Sequence, residues 1–274
     1  MTSYSDNLFG ETAFNNSKVK FGAPHAIDFG KENQYSIDNR LYIIGHGAET
    51  PESHQSWMQG DSVYLARTIG EPNPLTINEA ASWEFYVSTS SSGAATYTSD
   101  IANAKPLFVW PTRTGVVTMS FHPFLKKFIM AISTPTVSPS TVANFDTYFL
   151  ESDNLTGPFS YVSYLPSFGP EAYFVHIPGT FMSSNFTEKS MTTVSTAQAN
   201  TKTIPIGSDE ALIITTSATA TTSAAAYYEY FLSFSADFAS GKPNPPGSGY
   251  HWCLQHARFP VSQSFYEKIK KQQK

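Results

Sequence analysis

The sequence predicts an all-β protein, a β-propeller of four-stranded antiparallel blades, and three observations carry that prediction. Charged residues make up 14% of the 274-residue chain and aromatics 15%, with Ser and Thr abundant, a profile that suits β domains better than helical ones. Short apolar or alternating runs are separated throughout by Gly, Pro, Asn and Asp clusters, the punctuation of strands and turns. The runs also fall into groups of about four, as blades do. A β-sandwich shares the local pattern and is the alternative.

Residues 1–20 read as an N-terminal extension of disordered composition, and residues 21–260 as the blades. The first group is "PHAIDF", "RLYIIGH", "SVYLART" and "WEFYVS", with room for one helical turn in "TINEAASWEF". The second is "VVTMSF", "KFIMAIS", "TYFLES" and "FSYVSYL", joined by turn-like "HPFLKK" and "DNLTGPF". The third is "AYFVHI", "EALIITTS", "YYEYFLSFSA" and "YHWCLQHARF". Residues 183–226, biased toward Ser, Thr and Ala, read as a partly flexible insertion without chemistry of its own. Residues 261–274 read as a tail with a frayed helix. Three groups do not close a propeller, which typically takes about four to eight blades, and unclosed sheets expose strand edges. Further sheet is therefore expected upstream of Met1 or from another chain.

A net charge of −5 provides no field for a phosphate backbone, and the basic "KIKKQQK" reads as a solvated tail. The single cysteine, Cys253, excludes an internal disulfide. Sequons begin at Asn15, Asn154 and Asn185, and such triplets arise often by chance in a Ser/Thr-rich chain. The first residues lack the pattern of a signal peptide, and no stretch has the length of a membrane-spanning helix. Nucleic acid and membrane are therefore not expected as partners, and a completed propeller reads as a monomer.

Several longer phrases resemble secreted propellers related to ulvan lyases and rhamnosyl-glucuronate lyases. They are "YSIDNRLYIIGHGAE", "SWMQGDSVYLAR", "GVVTMSFHPFLKKFIM", "LESDNLTGP" and "FGPEAYFVHIP". The likeness runs over about residues 20–260 outside the insertion. It implies the C-terminal portion of a seven-bladed propeller, an extracellular location and a polysaccharide or oligosaccharide substrate. The implied reaction is β-elimination at a uronic acid: a base takes the proton beside the carboxylate, an acid protonates the leaving oxygen, and a cation holds the carboxylate as charge develops.

Against that chemistry, His25 and His46 resemble the paired histidines of the lyase propellers; otherwise they cap strand ends. Gly45 and Gly47 beside His46 would let a ligand approach closely. Arg113 offers the planar fork that suits a carboxylate, or is a surface cation. Tyr173 supplies a phenol for acid or base work, or packs; Glu171 shares its face if the strand is regular. His54 reads as exposed, Tyr97 as structural, Asp61 as a turn acid or a partner supporting a site residue from behind, and Trp57 and Trp110 as sugar platforms or core. His122, His176, His251 and Cys253 form the candidate metal set, for a structural zinc or calcium, with no local motif in support; the cofactor is otherwise undetermined. A glycoside hydrolase on the same scaffold is the alternative. It would need two facing carboxylates, from Glu49, Asp61, Glu151 and Glu171. A non-catalytic glycan-binding propeller, or an incomplete gene product, is the third reading.

Overall fold

A computed structural model describes residues 19–48, 58–136, 145–168, 172–182, 186–188, 200–206, 210–216, 226–237, 250–261 and 271. The first sheet holds β1 (Val19–Ala26), β2 (Tyr42–Ala48), β3 (Gly60–Thr68), β4 (Trp83–Thr89) and β5 (Ala95–Thr98) in that order. A sixth strand, β6 (Phe108–Thr114), pairs with the first half of β3, and β4 with its end. The second sheet is the simple meander β7 (Val116–His122), β8 (Lys127–Pro135), β9 (Phe145–Ser152) and β10 (Ser160–Phe168). Its four runs are those of the second group in the sequence. The helical turn expected before "WEF" is a 3-10 turn at Ala80–Ser82. The expected C-terminal helix lies almost wholly outside the described residues.

The third sheet departs from expectation. β11 (Tyr173–His176) and β12 (Phe186–Glu188) flank one edge of β15 (Ala226–Asp237), and β16 (Tyr250–Val261) pairs along the whole of the other. The run "EALIITTS" is not a blade strand. It forms β14 (Glu210–Thr216), which pairs with β13 (Asn200–Ile206) as a separate hairpin inside the Ser/Thr-rich insertion. Pairing between segments this close in sequence closes a short loop, which costs less entropy than docking into a distant sheet.

The sheets stack through two apolar clusters whose members alternate as strand geometry requires. Met130 and Ile132 of β8, with Tyr148 and Leu150 of β9, face Tyr42, Ile44, Val63 and Leu65 of the first sheet. Ile129, Ala131 and Phe149, from the same two strands, face Val175, Tyr230, Leu232 and Phe234 of the third. The second sheet is thus covered on both faces, and β8 and β9 read as nearly unbroken buried runs. β10, at its outer edge, reads half-exposed. The remaining face of the first sheet is closed by the chain itself. Phe21, Tyr64, Trp83 and Phe85 pack there under Ile77 and Ile101. The Lys20 ammonium pins this cover by donating to the carbonyls of Ile101, Ala102 and Ala104 at 2.8, 3.0 and 3.3 Å.

The innermost strands of the three sheets lie side by side, as in a propeller. Asp28, just past β1, donates its N–H to Met119 O and accepts from Phe121 N–H, bridging to β7. On the other flank Thr118 and Ser120 of β7 donate their hydroxyls to Val175 O and Ile177 O of the β11 segment, at 2.5 and 2.6 Å. These hydroxyls satisfy carbonyls that would otherwise be buried without donors. The chain is all-β, with blade-like antiparallel sheets meeting along these inner strands.

Candidate functional site

The β1 strand is irregular for a reason that bears on His25. Phe21 and Ala23 adopt left-handed backbone angles (φ 62° and 43°), and the pairing with β2 slips twice, around Gly22. Bulges of this kind re-aim side chains. His25 is turned from its own sheet toward the third, its ring centroid 4.6 Å from that of Phe174, itself left-handed at φ 54°. His25 Nδ1 lies 3.2 Å from Ala23 O, so in the neutral ring Nδ1 carries the proton and Nε2 the lone pair. Burial lowers the His25 pKa, the Ala23 carbonyl partly opposes this, and nearby His176 lowers it further.

Three residues on, the Asp28 carboxylate collects donors from two loops. Oδ1 accepts Gly30 N–H and Oδ2 accepts Gly179 N–H, both at 2.7 Å, and Oδ2 lies 3.4 Å from His176 Nε2. Burial alone would raise the Asp28 pKa, but His176, Gly179 and Gly30 together hold it below the usual carboxylate range. A Cβ at Gly179 would stand 2.8 Å from Asp28 Oδ1, so a side chain there would displace the carboxylate. The other ring nitrogen of His176, Nδ1, lies 3.4 Å from Ser120 Oγ. Ser120, His176 and Asp28 therefore stand in the order of a nucleophilic triad, but Ser120 is 1% exposed and its proton goes to Ile177 O. It is a structural hydroxyl.

Of the four expected catalytic residues, His25 and Tyr173 share a neighbour, while His46 and Arg113 make other contacts. His25 and Tyr173 come together around Phe174, whose ring is 5.1 Å from that of Tyr173; Tyr173 also packs on Phe145 at 5.7 Å. His46 is 2% exposed and its ring lies across two glycines. A Cβ at Gly22 would come within 2.7 Å of Nε2, and one at Gly60 within 2.9 Å of Cδ2. Gly45 is bare because the Phe21 backbone crosses it at 2.8 Å. The glycines near His46 make room for the fold, not for a ligand. Arg113 lies in the wedge between the first and second sheets, donating to the Tyr148 hydroxyl at 3.3 Å. Tyr148 stacks on Tyr164 at 4.8 Å and meets Trp110 edge-on at 4.9 Å. Trp110 is 4% exposed, which rules it out as a sugar platform and makes it core.

The candidate metal residues are likewise dispersed. Buried His122 accepts Leu125 N–H at Nδ1, and burial pushes its pKa down to about 4. Cys253 packs on the second apolar cluster, its thiol pKa raised by burial. His176 is held by Asp28 and Ser120, and the His251 side chain lies outside the described residues. Among the described residues no three His, Cys, Asp or Glu side chains form a metal site. Of the other expectations, Asp61 is not in a turn: it lies in β3 and accepts Thr112 N–H of β6 at 2.7 Å. Tyr97 is structural, lying 3.6 Å beneath the Arg67 guanidinium. Glu151 pairs with Lys127. Glu49, His54, Trp57 and Glu171 lie outside the described residues, as do Asn15 and Asn185. Asp28 was missed by sequence reasoning. The only available signal was that "HAIDFG" and "FVHIPG" both place a polar residue shortly before a glycine at the end of an inner strand.

No family model matches the sequence, and no curated protein matches it. Among solved structures, a variant of the GH43 protein BlXynB from Bacillus licheniformis aligns with 90% of this chain at 10% identity and a TM-score of 0.31. The chain spans 42% of that structure's length. A likeness at that level carries no argument about fold or chemistry, and the resemblance to lyase propellers stands on its motifs alone. Among the described residues, no helix is long and apolar enough to cross a membrane.

Proposed function

We propose that this chain is a carbohydrate-active propeller protein that cleaves uronate-containing glycans by β-elimination, with His25 Nε2 as the base. The observation that carries the proposal is the state of the His25 ring. Its Nδ1 proton is committed to Ala23 O and burial favours its neutral form. Among the described residues Nε2 meets no hydrogen-bond partner. A neutral imidazole with an uncommitted nitrogen, at the meeting of three inner strands, is equipped to take a proton at neutral pH. Tyr173, across Phe174, is the candidate acid for the leaving oxygen. His46 and Arg113 take no part in this assignment.

A second reading is favoured by Asp28, an ionised carboxylate at the same meeting point. A glycoside hydrolase would use it with a second carboxylate across the substrate, and Glu171, two residues before Tyr173 in the sequence, is the candidate. The two readings differ in product, since only elimination leaves an unsaturated uronate with strong ultraviolet absorbance. Under the elimination reading, His25→Ala lowers kcat by about a hundredfold to ten-thousandfold while glycan binding persists. Cleavage without an unsaturated product would transfer the assignment to the hydrolase.

A further inference from the structure

We infer that Asp28 and His176 form a clasp between the first and third sheets, and that Asp28 is a positioning residue which, through this clasp, holds Phe174 against His25. The inference deepens the proposed function and rests on it for its kinetic consequences. Its structural content is independent.

The argument starts from how weakly β11 is held by its own sheet. It has four residues and pairs with β15 at only two positions, Tyr173 with Ser235 and His176 with Ser233, with a slip between them. Phe174, in the slip, is left-handed, a conformation a bulky residue keeps only when its surroundings enforce it. Further anchors lie on the opposite flank. Two β7 hydroxyls cap its carbonyls. At its C-terminal end the Asp28 carboxylate receives Gly179 N–H and faces His176 Nε2. Ser120 donates its proton to Ile177 O, so toward His176 it only accepts. Nδ1 of His176 therefore faces an acceptor, and its Nε2 edge lies against Asp28 Oδ2, the same oxygen that receives Gly179 N–H. The ends of the two inner strands thus meet at this carboxylate. Among the described residues, His25 faces the pair from β1 and the uncharged Ser120 faces it from β7. Loss of the Asp28 charge weakens both contacts at this carboxylate and frees the end of β11. Phe174, two residues upstream, then loses its fixed position against the His25 ring.

The test uses the full chain, as wild type, Asp28→Asn, His176→Gln and the double variant. Histidine-selective NMR reads the His25 ring signals, which carry the ring-current shift of Phe174, with His25→Ala to assign them. The expectation is that both single variants move the His25 signals toward those of an exposed histidine, and that the double variant adds nothing further. Amide spectra confirm that each variant is folded; should Asp28→Asn not fold, His176→Gln and Ser120→Ala carry the same comparison. On a uronate polymer each single variant is expected to lose about tenfold to a hundredfold in kcat at unchanged KM, as a small misplacement does. Losses that multiply in the double variant, or His25 signals unmoved in folded single variants, overturn the clasp. Wild-type protein that cleaves no glycan overturns the proposed function while the NMR comparison still decides the clasp.

Discussion

His122 shows how a single buried side chain makes stability depend on pH. Its ring is 1% exposed, and burial lowers its pKa from 6.5 to about 4. Between those values the unfolded chain binds a proton that the folded chain does not. The stabilisation is complete above 6.5 and is lost as pH falls toward 4, at a cost of about 3 kcal/mol in all. His25, lowered chiefly by burial, acts in the same direction. Asp28 adds to the loss at lower pH, because its carboxyl is held below the usual range; its contribution is full above that range and disappears as pH falls through the lowered value. Denaturant midpoints measured between neutral pH and 4 are expected to drop steeply in wild type and less so in His122→Gln. Parallel curves would refute the role given to His122. The histidines were visible in the sequence as candidates, but their functions were not. Whether an imidazole meets Ala23 O, an amide N–H or a carboxylate depends on chain segments far from it.

Glycines govern the packing of strands around His46 and the start of β7. A Cβ at Gly60 would meet Gly47 O at 2.9 Å, the His46 ring at 2.9 Å and Thr114 O at 3.0 Å. Gly60→Ala is expected to destabilise by about 1–3 kcal/mol through overpacking, read as a shift in thermal midpoint. At Gly115 a Cβ would fall 1.9 Å from Ser133 O and 2.5 Å from Met58 O. Both obstacles are backbone, so Gly115→Ala is expected to yield no folded protein. Gly70, with nothing within 4 Å of its Cβ position, is the control, and Gly70→Ala should stay within about 0.5 kcal/mol of wild type. An equal effect at Gly60 and Gly70 would refute the packing argument. The second sheet was legible because its four runs are consecutive along the chain and pair in that order. The bulged β1 was not, because left-handed Phe21 and Ala23 carry none of the residue types that signal such a backbone.

For the molecule as a whole, the second sheet is the structural centre, packed against the first sheet on one face and the third on the other. Amides of β8 are therefore expected to exchange most slowly with deuterated solvent, and those of β5 and β11 faster. A uniform exchange rate across the sheets would contradict this order. The first sheet closes its outer face with its own loops and the Lys20 pin. The outward side of the third instead presents Trp252 and Leu254, 66% and 39% exposed.

The β class, the turns and the strands of the second sheet were readable from composition and pattern, because alternation and turn chemistry are properties of neighbours along the chain. So was the presence of imidazoles near inner strand ends. Which histidine would be half-exposed with an uncommitted nitrogen, and which buried over glycine, followed from bulges and sheet stacking. Asp28 became significant only when β1, β7 and β11 came side by side, bringing Gly179 and His176 to its carboxylate across about 150 residues of chain. Contacts between distant segments leave no periodic trace in a single sequence, and the clasp is made entirely of such contacts.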